Sequence, residues 1–119
     1  MHRIPDLSVE RPSERAAVVV LRGDHDISQA EQLDALLTSL TSENELVVVD
    51  LSAAQFIDSS VINALVRAKN AATAGAGTLR VQLGTEAIVE RALAVSGVLE
   101  FLDCVATREQ ALAPPDHLP

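Results

Sequence analysis

The residues with the clearest chemical potential are Asp58-Ser59-Ser60, which stand directly before an apolar segment of helical period. Short polar side chains at that place cap a helix by accepting hydrogen bonds from the free amides of its first turn. A serine there also presents its hydroxyl to solvent. A phosphate on that hydroxyl is expected to meet free backbone N–H groups and the positive end of the helix dipole. It would add roughly −1.5 to −2 charges to the surface, which suits a switch on binding with little change in the fold. Two other junctions are polar: Gly23-Asp24-His25-Asp26 after a strongly apolar run, and Asp50-Leu51-Ser52 after another. Both read as strand ends, where the reactive positions of open α/β sheets lie.

Catalysis finds less support in these residues. Ser59 has no histidine close by in sequence, and His2 and His117 fall near the two ends of the chain. His25 is the one histidine placed to meet Ser59 across a sheet edge as base and nucleophile. No Gly-x-Ser-x-Gly turn surrounds the serine. Asp24, His25 and Asp26 are consecutive and diverge too far to converge on one metal ion, so they read as a solvated loop with Asp26 near a helix start. Ala74 to Thr78 is glycine-rich but follows a helix and has no P-loop lysine, which makes it a helix stop and turn. Asp50 can be compared with the phospho-acceptor of a receiver domain, but the single lysine, Lys69, falls inside a predicted helix and leaves an acyl phosphate unneutralised. Cys104, among Phe101, Leu102 and Val105, reads as an inert thiol in or near the core. The expectation is a binding module with no catalytic residues, metal or cofactor.

Composition narrows the partners. A chain of 119 residues with 48% hydrophobic and 22% charged residues fits one globular domain. With two Phe and no Trp or Tyr, its core must be aliphatic, and it lacks the stacking platforms of single-strand binders. Seventeen acidic residues against nine basic ones, a net charge of −8, repel phosphate backbones and argue against nucleic acid. A lone cysteine rules out an internal disulfide and fits a reducing compartment. The start has no apolar signal core, and the run Ala16 to Leu21 is too short to cross a bilayer, so the cytoplasm is expected, away from membranes.

The elements that must position these residues follow from periodicity. Ala16 to Leu21 and Leu46 to Val49 are continuous β-branched or apolar runs, as in central strands covered on both faces. Thr78 to Leu83 alternates like a half-buried strand, Phe101 to Val105 reads as a short strand, and Pro5 confines Ile4 to Val9 to an edge. Ser28-Gln29-Ala30-Glu31 has capping-box spacing, and Ala30, Leu33, Leu36, Leu37 and Leu40 form an apolar stripe behind it. A second helix is predicted from Ser60 to Ala74, stopped by Gly75. It buries Val61, Ile62, Leu65, Ala68 and Ala72, and presents Asn63, Arg67 and Asn70 on a polar face. A third, from Glu86 to Ser96, buries Ile88, Val89, Ala92 and Leu93 and stops at Gly97. Thr107 to Gln110 is another capping box, opening a short last helix. Strands alternating with helices give an open α/β sheet, mostly parallel or mixed, of about four to five strands with about four helices.

The string Val47 to Ser60, VVVDLSAAQFIDSS, resembles the signature of STAS domains, specifically the bacterial anti-sigma factor antagonists. Leu21-Arg22-Gly23-Asp24-His25-Asp26 resembles their strand-to-loop motif, and Ala94 to Val98 with Thr107 to Leu112 resembles the end of the family. The resemblance covers about Val18 to Leu112 and implies one STAS-like domain, assigned to residues 1–113; the proline-rich end at 114–119 is expected to be a flexible tail. It implies binding to a serine kinase that is also an anti-sigma factor, which frees a sigma factor. Phosphorylation of Ser59 would end the complex, and a metal-dependent serine phosphatase would restore it. Asp24, Asp26, Asp58, Ser59, Ser60, Asn63 and Arg67 form the implied partner-binding set. Family members also serve as scaffolds of stress-sensing complexes or as accessory subunits of transport ATPases, which is the alternative role. The family usually reads Asp-Ser-Ser-Gly, whereas Val61 stands here; its bulk in the first helical turn is expected to crowd a docking kinase.

Overall fold

The two apolar runs form the centre of the sheet. Residues 6–85 and 87–114 are described by a computed structural model of the chain. Strand β1 (Asp6–Ser13) pairs antiparallel with β2 (Ala16–His25), which is followed by α1 (Ile27–Glu43) and β3 (Leu46–Ile57). Then come α2 (Ser59–Ala74), β4 (Thr78–Gln82), α3 (Ala87–Val95), β5 (Cys104–Val105) and α4 (Arg108–Leu112). The strands lie in sequence order, β1-β2-β3-β4-β5, with β2 to β5 all parallel. This is the mixed α/β sheet that the alternation predicts. The proposed start of the first strand at Ile4 and Pro5, the start of the third helix at Glu86 and the tail from 115 onward fall outside the described residues.

Alternation along each strand sorts the core into two layers. Ala17, Val19 and Leu21 of β2, with Val47, Val49 and Leu51 of β3 and Leu79 and Val81 of β4, face α1, α2 and α3. Ala16, Val18, Val20, Leu46 and Val48 face the other way, against Ala111 of α4. Leu33, Leu37 and Leu40 seat α1 as predicted, and Val61, Ile62, Leu65, Ala68 and Ala72 seat α2, joined by Ala64.

Four local expectations are corrected. The cap of α1 is Asp26, whose carboxylate accepts from the Ser28 amide while the Gln29 side chain accepts from the Asp26 amide. The box therefore starts two residues earlier than the serine suggests, because the Asp26 carboxylate captures the first-turn amide of Ser28 and leaves the serine inside the helix. Strand β4 is not half-buried: Arg80 is 0% exposed and Gln82 is buried as well. Arg80 lies under α4 and donates to the carbonyl oxygens of Gln110, Ala111 and Ala113, placing its charge at the negative end of that helix. Of the residues predicted to seat α3, Val89 and Leu93 are buried, Ala92 is partly so, and Ile88 is 53% exposed. Finally, Phe101 is exposed and β5 contains only Cys104 and Val105.

Helix ends separate glycine from its usual task. Gly97 beyond α3 has φ +76°, the left-handed turn that ends a helix. After α2, the left-handed residue is Ala76 at φ 61°, one place beyond Gly75. The amides of Ala76 and Gly77 donate to Thr73 and Ala72, closing that helix end with a side chain in a costly conformation.

Candidate functional site

Strands β2 and β3 run past their apolar runs and carry two loops to the same edge. Asp24 lies opposite Phe56 and His25 opposite Ile57, and the Asp58 amide donates to the His25 carbonyl oxygen at 3.3 Å. Asp24 and Asp26 at the end of β2 thus stand beside Asp58, Ser59 and Ser60 at the end of β3. Asn63 and Arg67 lie further along α2 and are exposed on the side of α1. The predicted set forms one region made by two adjacent strand ends and one helix flank.

Asp58 organises the start of α2. Its Oδ1 accepts from the Ser60 amide at 3.0 Å, the Val61 amide at 3.2 Å and the Ser60 hydroxyl at 2.6 Å. The hydroxyl of Ser60 is therefore engaged. That of Ser59, one residue earlier and exposed, has no hydrogen-bond partner among the described residues. The expectation of free amides waiting for a phosphate is corrected here, since the Asp58 carboxylate already holds those of Ser60 and Val61. Val61 is 0% exposed and packs in the core, so its side chain lies away from the surface around Ser59. The valine therefore adds no bulk to the surface around Ser59.

The helix start divides two grooves. A consecutive pair on a helix diverges by about 100°, and the two serines fall on opposite sides. Ser60, Asn63 and Arg67 line a polar groove of about 350 Å³ with Ala30, Glu31 and Asp34 of α1. There Arg67 Nε donates to Asp34 Oδ1 at 2.9 Å. Ser59 lines a second groove of about 400 Å³ between the start of α2 and α3. Phe56, Ile88 and Val95, exposed by 43%, 53% and 81%, give it an apolar character that sequence patterning assigned to no site. The missed signal is the surplus of apolar residues in α3: Ile88 directly precedes the buried Val89 and Val95 lies two residues past the buried Leu93, both off the buried face.

The remaining candidates resolve structurally. The His25 ring is buried and donates from Nε2 to the Arg22 carbonyl oxygen at 2.9 Å, so it is turned from the exposed Ser59 hydroxyl. Hydrogen bonds from the Ser28 hydroxyl and amide, aided by the neighbouring His25, hold the Asp26 carboxyl below its ordinary range. Asp50 does not end a strand; it lies inside β3, buried on the α4 side. Burial alone would raise its pKa, but hydrogen bonds from Ser52 and the ion pair with Arg108 at 2.6 Å bring it below the usual value. Arg108 also donates to Gln82 and Glu10, tying α4 to strands β1, β3 and β4. Burial, with Asp103 and Glu90 nearby, pushes the Cys104 thiol up to about 11, which keeps it protonated and unreactive at neutral pH. Lys69 lies within α2 and not at the end of a strand. Among the described residues no group of three or more His, Cys, Asp or Glu side chains is placed to hold a metal, and no helix is long and apolar enough to cross a membrane.

Residues 8–105 match the family described as "Mlab, STAS domain". No curated protein matches the chain in sequence. An anti-sigma factor antagonist from Mycobacterium paratuberculosis superposes with a TM-score of 0.80 at 21% identity, covering 92% of each chain. One from Thermotoga maritima, described as a putative antagonist, gives 0.78 at 15% identity over 89% of this chain and 91% of the other. The Bacillus cell fate determinant SpoIIAA in its phosphorylated form gives 0.72 at 20% identity, over 90% and 96%.

Proposed function

The chain belongs to the STAS domain family, and from that premise we propose that it is an anti-sigma factor antagonist switched by phosphorylation of Ser59. It binds an anti-sigma factor that is also a serine kinase and thereby frees a sigma factor in the cytoplasm. The kinase transfers the γ-phosphoryl group of ATP to Ser59 Oγ, whose proton passes to a base of the kinase as ADP leaves. A serine phosphatase hydrolyses the ester and restores binding. The chain itself acts as a binding module and not as a catalyst.

The observation that carries this reading is the unequal state of two neighbouring hydroxyls. Ser59 is exposed and unengaged, whereas Ser60 donates to the Asp58 carboxylate at 2.6 Å. Only the first is free to enter a kinase active site without breaking a helix cap. Asp58 beside it, with Asp24 and Asp26 at the end of the adjacent strand, gives this edge negative charge suited to a basic partner surface, and a phosphate would intensify that charge after the partner has bound. The docking face takes in these residues with Ser60, Asn63 and Arg67, and extends over the exposed Phe56, Ile88 and Val95.

Affinity capture from the native organism, with phosphosite mapping on the recovered chain, tests the reading. Ser59→Ala is expected to abolish phosphorylation and keep the kinase bound. Ser59→Asp should weaken binding by about tenfold or more through like-charge repulsion. Ser60→Ala should remain phosphorylated. Loss of phosphate in Ser60→Ala, or capture of a transport ATPase in place of a kinase, would overturn the assignment.

A further inference from the structure

We propose that Arg91 is the internal receptor for the phosphate carried by Ser59, so that the modified side chain closes the apolar groove from within. This rests on reading Ser59 as the phosphorylation site. Ser59 and Arg91 line the same groove from opposite walls, the first at the start of α2 and the second on α3. Arg15, Arg22, Arg67, Arg80 and Arg108 are ion-paired, whereas Arg11 on β1 and Arg91 on α3 are exposed and have no ion pair among the described residues; of these two, only Arg91 lines this groove. Among the described residues, Arg91 and Asp58 are the charged ones that line this groove.

The helix start directs the phosphate toward Arg91. Asp58 occupies the amides of Ser60 and Val61, so a phosphate on Ser59 finds those donors taken and a carboxylate in the way. Like charge pushes it from the cap, and the cation across the groove draws it toward α3. Arginine suits this part: its aliphatic stem can lie along apolar surface while its planar fork holds a phosphate through two parallel hydrogen bonds. The pair would span the floor made by Ile62, Ile88 and Ala92. Phosphorylation would then do two things to a partner, repelling it by charge and covering the apolar surface it needs.

The test does not depend on a kinase. Phosphoserine is installed at position 59 during translation, and its second ionisation, near pH 6, is followed by phosphorus NMR at low ionic strength. Relative to the otherwise unchanged phosphorylated chain, Arg91→Gln is expected to raise that pKa by about 0.4 unit, the size expected of an exposed ion pair. Arg91→Lys should retain most of the depression. The methyl signals of Ile88 and Val95 should shift on phosphorylation with Arg91 present and stay in place with glutamine there. Phosphoserine at position 60, on the far groove, should not respond to Arg91→Gln. A rise below about 0.1 unit, equal rises in the Gln and Lys variants, or an equal response from position 60 would overturn the proposal. None of these results bears on whether Ser59 is phosphorylated in cells, which phosphosite mapping reads separately.

Discussion

The two grooves beside α2 start from neighbouring serines and end in opposite physical states. On the α1 side, Ser60 is tied to Asp58 and Arg67 to Asp34, so polar groups meet polar groups and little is left unsatisfied. On the α3 side, Ser59 and Arg91 are unengaged, and Phe56, Ile88 and Val95 stand exposed. Internal pairing places the first groove at the rim of the docking face, where contacts contribute little affinity. The second holds the apolar area whose removal from water drives association and the hydroxyl that can switch it. Proximity along the chain therefore says little about role on a helix, where one residue rotates the side chain to another surface.

The largest expected effect tests which groove carries most of the binding energy. Ile88→Asp should reduce affinity for the captured kinase about tenfold or more, as loss of a central apolar contact does, while Arg67→Ala should change it less than about threefold. Titration of the partner against each variant measures this, and equal losses would erase the distinction between the two sides.

A second prediction uses the opposite face of the sheet as a control, where stability should change and binding should not. Arg108→Gln removes the partner of the buried Asp50 and should cost about 2 kcal/mol at neutral pH, below the full penalty of a buried pair because Arg108 is partly exposed. Asp50 is held below its ordinary pKa, so its contribution is complete above about pH 4, the unfolded value. It fades as pH falls through the folded value. Denaturation at pH 7 and pH 3 should therefore show a large difference between wild type and variant at the first and a smaller one at the second. The phosphorus NMR behaviour of phosphoserine at position 59 should be unaltered.

The smallest effect concerns the polar groove alone. Arg67→Ala should lower stability by about 0.5 kcal/mol, since its ion pair with Asp34 is half-exposed and screened. Thermal denaturation in low and high salt would read it, and a loss well above 1 kcal/mol would mean that this groove is a structural joint between α1 and α2.

Much of this arrangement is written in local pattern. β-branched runs commit Ala16 to Leu21 and Leu46 to Val49 to the sheet centre, and the Val61, Leu65, Ala68 and Ala72 row seats α2, because burial on one face demands that spacing. Polar patterns were less legible. Arg80 and Gln82 alternate with apolar residues as if they faced water, yet they lie beneath α4, an element more than twenty residues later that supplies carbonyl partners for the arginine. Asp50 looked like a strand end for the same reason: Arg108, which satisfies it inside the strand, comes from far along the chain. Ile88 fits a helical core stripe, but only the depth to which α3 settles on the sheet decides that it remains outside.

What the sequence determined by itself is the mixed α/β sheet, its aliphatic core and the helix that begins at Asp58-Ser59-Ser60, since apolar period and capping chemistry act over a few residues. Tertiary structure alone decided which hydroxyl is free and what lies beside it. That outcome depends on the Asp58 carboxylate engaging Ser60 and leaving Ser59 free, and on α1 packing against α2 while α3 packs against β3. The helix packing joins residues distant in the chain, and no local pattern records it.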